Sequence, residues 1–99
     1  MSQITSVSDR IEEYLDALND NDSQHFFTPV AGRKYVKIVC TYFGSRSVHA
    51  FVDKKTGDVY KPASWNAPAK HVRYNLMNEQ SRNECFRLCD PYGGYLYLR

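Results

Sequence analysis

The chain has no apolar run long enough to span a bilayer, so no transmembrane helix is expected. Residues Met1 to Ser8 carry neither a basic stretch nor an apolar core, which argues against a secretory signal. Cysteine is scarce. Three residues, an odd number, make a poor disulfide framework and suit a reducing compartment. A soluble cytoplasmic protein is the expectation. Glycine-rich phosphate loops are missing too, since Gly93-Gly94 is the one adjacent pair and simply precedes the last predicted strand. Internal repeats and low-complexity tracts are absent. At 99 residues the chain has room for one core only.

Basic residues are nearly missing from the front of the chain. Residues 1–32 hold one Arg against six Asp/Glu, a net of −5. Residues 33–75 hold nine Lys/Arg against two Asp, a net of +7, and residues 76–99 balance. The overall +2 therefore conceals an acidic front and a basic middle. Aromatics make up 14%, and eight of them are tyrosines. Tyrosine is amphipathic and fits half-buried sheet faces and binding surfaces alike.

Ile11, Tyr14, Leu15 and Leu18 recur at i, i+3, i+4 and i+7, one apolar stripe of a helix over about 9–19. Asp9 is the expected N-cap with Glu12 three residues on. Residues 20–32 read as a connector tied to the core by Phe26 and Phe27. Lys34 to Phe43 is rich in Val, Ile, Tyr and Thr and predicts a strand. Strands over Ser47 to Asp53 and Asp58 to Lys61 complete a three-stranded meander over 34–61, with loops at 44–46 and 54–57. That register opposes Tyr42 to Val48, Cys40 to Ala50, Ile38 to Val52, Val52 to Val59 and Phe51 to Tyr60. One face then carries Val36, Ile38, Cys40, Tyr42, Val48, Ala50, Val52 and Val59. A two-residue first loop would oppose apolar to polar positions and is set aside. The other face carries Tyr35, Lys37, Val39, Thr41, His49, Phe51 and Tyr60, a basic and aromatic mixture.

Residues 62–92 are irregular, interrupted by Pro62, Pro68 and Pro91, with short helical turns suggested over Ala67 to Leu76 and Asn78 to Leu88. Tyr95 to Arg99 alternates as a C-terminal strand, with Leu96 toward the core and Tyr95 on the basic face. The fold class is α+β: one domain over 1–99, with an N-terminal helix on a three- to four-stranded antiparallel sheet.

The chemistry-bearing patterns are few. Lys61, Lys70, His71 and Arg73 could contact phosphates, and Tyr60 and Trp65 could stack on bases or support them. The competing reading is a sheet face capped by residues 62–92, with Trp65 as a plug and the lysines merely solvated. Cys85 and Cys89 lack zinc-knuckle spacing, and the register points Cys40 and His49 to opposite faces, so no metal site is expected. Asp20 and Asp22 resemble the start of a calcium loop, but no Gly follows at the sixth position and Ala31 stands at the twelfth. His25, His49 and His71 are candidate bases, yet no spacing sets one beside a nucleophile. No catalysis and no cofactor are expected.

The segment Gly57-Asp58-Val59-Tyr60-Lys61-Pro62-Ala63-Ser64-Trp65, followed by Pro68-Ala69-Lys70-His71-Val72-Arg73-Tyr74-Asn75-Leu76 and ending in Tyr97-Leu98-Arg99, resembles a group of short proteins of tailed bacteriophages. That group shows G-x-(V/I)-Y-K-x-A-S-W, then P-A-K-x-x-R-x-N-(I/L), then a G-x-x-Y-L-R ending. The likeness covers roughly the C-terminal two thirds. It departs at Tyr74, often Gly in the group, and in the loop 77–92, which carries the extra cysteines. The group has no assigned activity. The resemblance implies a phage product acting in the host cell cytoplasm. Its partner would be nucleic acid or a host protein, with no membrane; a minor virion component is the remaining alternative.

Overall fold

A computed structural model describes residues 6–21, 24–90 and 93–96. Helix α1 runs over Val7–Asn21. Its cap is Ser6 rather than Asp9. The Asp9 N–H donates to Ser6 Oγ at 3.2 Å and the Ser6 N–H donates to Asp9 Oδ2 at 3.4 Å, a reciprocal capping box one turn earlier than expected. Ile11, Tyr14, Leu15 and Leu18 form the buried stripe.

The main sheet has five antiparallel strands, more than the three or four expected. Strand β1 (His25–Ala31) occupies the segment the sequence predicts as a connector, β2 spans Tyr35–Tyr42, β3 spans Ser45–Asp53 and β4 spans Asp58–Tyr60. A short hairpin, β5 (Pro62–Ser64) and β6 (Ala67–Pro68), stands apart, and β7 (Tyr74–Asn75) returns to pair with β4. Strand β1 eluded the sequence because it lies at the sheet edge, where Pro29 is tolerated and much of the strand stays exposed. Phe27 is buried, whereas Phe26 is 60% exposed and does not reach the core.

The first hairpin corrects the expected register. Its loop is the two-residue turn Phe43-Gly44, with φ of 48° and 82°, not residues 44–46. Two successive positive φ values suit a primed hairpin turn, whose twist matches the strands. Tyr42 therefore opposes Ser45, and Cys40 opposes Ser47. A bulge then restores the apolar pairing: Val39 opposes Val48 while Ile38 opposes Ala50, and His49 is the extra residue between them. The bulge turns His49 to the helix side, the side Cys40 faces, and sends Val48 to the other; Tyr42 ends up exposed. The second hairpin keeps its expected register, with Val52 opposite Val59 and Phe51 opposite Tyr60.

Asn78 caps helix α2 (Glu79–Leu88) by accepting from the Ser81 N–H at 2.9 Å, so the helical turn expected near 78–88 forms a full helix. No helix forms over Ala67 to Leu76, where the short strands lie instead. Residues Gly94–Leu96 make a 3-10 turn in place of the start of a terminal strand. Tyr97, Leu98 and Arg99 lie outside the described residues. Tyr95 is buried in the core, not on the basic face.

Both helices lie on one side of the sheet. There Val36, Ile38, Cys40, Ala50, Val52 and Val59 pack with the α1 stripe, Leu76, Cys85 and Leu96. Burying each Val, Ile or Leu side chain among these stabilises by about 1.5–3 kcal/mol before chain entropy is subtracted. Among the described residues no helix is long and apolar enough to cross a membrane.

Candidate nucleic-acid interface

Strand alternation puts Lys37, Val39 and Thr41 of β2 on the side away from the helices. Cross-strand pairing sets Val30 and Phe51 beside Lys37, and Phe26 and Arg46 beside Thr41. Val39 and Phe51 are buried there although they lie outside the helix-side core. The β5–β6 hairpin is what lies against this side, with Lys37 Nζ donating to Asn66 Oδ1 at 3.3 Å. Tyr35 stands edge-on to Phe51 and to Tyr60, with ring centroids 6.0 and 5.8 Å apart. Residues 62–68 therefore cover part of the second face and leave the rest open.

Trp65 occupies the tip of the hairpin and is 45% exposed. Lys37 Nζ lies 4.5 Å from its ring centroid and Arg46 Cζ lies 5.9 Å away. Exposed contacts of this kind contribute about 0.5–1 kcal/mol each, enough to orient a ring but not to hold a hairpin. The backbone bond from the Ala69 N–H to the Lys61 carbonyl, at 2.7 Å, helps to hold it. Arg33 and Lys34 add exposed charge at the turn before β2. The carboxylates Asp53 and Asp58 sit at one end of the face and are engaged. Asp53 accepts from the Lys55 and Thr56 N–H groups at 2.8 and 3.1 Å, which with nearby Lys34 hold its pKa below the usual range against the opposing effect of burial. Asp58 accepts from Asn75 Nδ2 at 2.6 Å.

The six residues singled out from the sequence separate into different roles. Trp65 is at the surface with cations beside it. Tyr60 is half-buried in the Tyr35 cluster, and desolvation, then Asp58, pushes its hydroxyl pKa up. Lys61 is half-buried, and Lys70 and His71 are exposed on a loop where His71 adopts a φ of 75°. Arg73 is a structural tie. Its Nε donates to the Leu96 carbonyl at 2.5 Å and one terminal nitrogen donates to the Lys70 and His71 carbonyls at 2.8 and 2.6 Å. The cations at Trp65 are instead Lys37 and Arg46. Lys37 carried a signal, its place on the basic aromatic face. Arg46 carried none, because it fell in the expected loop.

The other concentration of polar side chains is interior. The Tyr14 and Tyr95 hydroxyls bond each other, and Tyr95 bonds His49 Nε2 at 2.7 Å. Burial lowers the His49 pKa to about 4, chiefly by desolvation, against the opposing pull of Asp90. Burial also pushes the Cys85 thiol up, so it stays protonated rather than nucleophilic. Among the described residues no group of three or more His, Cys, Asp or Glu side chains could hold a metal ion. These bonds satisfy the buried hydroxyls of Tyr14 and Tyr95 and one ring nitrogen of His49.

A family model described as a family of unknown function, DUF7717, matches residues 2–98. The chain belongs to that family. No curated protein and no solved structure matches it. The DUF7717 match takes in both the acidic helix and the Trp65 hairpin, so the two sides of the sheet lie within one family unit.

Proposed function

We propose that this DUF7717 protein is a small non-catalytic accessory protein that binds nucleic acid on the sheet face opposite its helices. The observation that carries this reading is Trp65, a partly exposed aromatic ring at a hairpin tip with the Lys37 and Arg46 cations over it. An aromatic face suits a base, and the cations suit the flanking phosphates. The resemblance to tailed-phage proteins supplies the proposed setting, an infected bacterial cell. Lys61, Lys70 and His71 would extend the basic surface, while Arg73 supports it from within.

The test is a titration of labelled single- and double-stranded oligonucleotides at low salt, followed by anisotropy. Binding to at least one form, weakening steeply as salt rises, is expected. Failure to bind either form at low salt ends the proposal.

A second reading rests on Phe26 and Phe43, which are 60% and 76% exposed. Exposed aromatics of this kind also suit a protein partner, here a host factor whose activity would be modulated. A stoichiometric complex with a purified host protein that survives nuclease, together with no oligonucleotide binding, would favour it.

A further inference from the structure

The geometry points to single-stranded nucleic acid as the ligand of this face, with one unpaired base stacking on Trp65 and its neighbour entering the adjoining recess. This inference rests on the nucleic-acid reading above. Three observations carry it. First, the aromatic ring is the most prominent group of the site, and base faces in a duplex are already stacked on each other. Only an unpaired base offers a free face to an indole. Second, a recess of about 230 Å³ lies beside the hairpin. Tyr35 and Phe51 give it an aromatic lining, Arg33, Lys34 and Lys37 supply cations, and Asn66 supplies a carboxamide. Lys37 is common to the recess and to the Trp65 ring, so one cation can serve the phosphate between two successive bases.

Third, among the described residues no helix lies on this side to enter a duplex groove, and the short β5–β6 hairpin folds back against the sheet, with Asn66 accepting from Lys37. Both helices lie behind the sheet, and α1 shows five exposed acids, Asp9, Glu12, Glu13, Asp16 and Asp20, against Arg10. A helix of that charge repels phosphates and leaves the hairpin side as the attractive one.

Trp65 is the single tryptophan of the chain, so its emission reports this site alone. The experiment adds unlabelled oligodeoxynucleotides and oligoribonucleotides, single-stranded and as duplexes, to the whole protein at low salt. Emission quenching by single strands is expected, with affinity at least tenfold above that for the matching duplex. Trp65→Ala, followed by anisotropy, is expected to lower single-strand affinity by about tenfold, with Trp65→Phe in between. The two sugar types show whether DNA or RNA is preferred. Equal binding of duplexes with unchanged emission overturns the single-strand inference and leaves the nucleic-acid reading standing. No binding of any oligonucleotide overturns both. Trp65→Ala binding as tightly as the parent chain removes the stacking step.

Discussion

The side-chain carboxamide of Asn19 bonds both main-chain groups of Phe27. The Phe27 N–H donates to Asn19 Oδ1 at 2.8 Å, and Asn19 Nδ2 donates to the Phe27 carbonyl at 3.2 Å. Helix α1 thus pairs one residue of the edge strand as a neighbouring strand would. Two positions on, Pro29 has no N–H to offer a second chain. Among the described residues β1 is the edge strand, and that edge is closed by a side chain and by a missing donor.

Asn19→Ala removes the partner of two main-chain groups and reopens that edge. A loss of about 1–3 kcal/mol is expected, together with self-association at high protein concentration. Urea denaturation and sedimentation check both. A variant as stable and as monomeric as the parent chain would contradict this role.

His49 sets an acid limit on stability. Its pKa is near 6.5 when unfolded and about 4 in the fold, where His25 and Asp90 also act on it. Between those values the unfolded chain binds more protons, so stability falls as pH falls. The contribution is whole above pH 6.5 and is lost through pH 4, a change of about 3 kcal/mol. Denaturation at pH 7 and pH 5 should show the slope, and His49→Gln should flatten it. An unchanged slope in that variant would assign the acid sensitivity elsewhere.

Gly57 ends the 54–57 turn with a φ of 79°, and a Cβ there would stand 2.9 Å from Met77 Cγ. Met77 is partly exposed and can move, so backbone strain is the larger effect. Gly57→Ala should cost about 1–2 kcal/mol. Most of that loss should persist on a Met77→Ala background; full recovery there would make the clash the cause instead.

Arg73→Lys separates structural support from ligand contact. It replaces a guanidinium that bonds three carbonyls. The expected loss is about 1.5 kcal/mol, the low end for bonds to a charged group, because two of the three are exposed. The folded variant should bind oligonucleotides as the parent does. Lost affinity without lost stability would return Arg73 to the interface.

Elements with a strong period were legible in the sequence. The α1 stripe and the pairs Val52–Val59 and Phe51–Tyr60 follow from spacing alone. Strand β1 did not, because an exposed edge strand with a proline lacks clean alternation. The first hairpin misled because opposing apolar residues to one another favours a longer loop unless a bulge is allowed. His49 is that bulge, and its burial beside Tyr95 is a tertiary fact with no local signal. Of the site, Trp65 was legible as an aromatic in a basic segment. Its pairing with Lys37 and Arg46 depends on how the hairpin folds back, over 28 and 19 residues of sequence separation respectively.

The most direct test is the salt dependence of single-strand binding in the Lys37→Ala/Arg46→Ala variant, measured beside the parent chain. If these two cations meet phosphates, the slope of log K against log salt should become shallower by about 0.7 for each cation removed. Affinity at low salt should fall with it, and folding stability should fall by about 1–2 kcal/mol, the sum of the two ring contacts. An unchanged slope and affinity in a folded double variant would contradict the assignment of this face to nucleic acid.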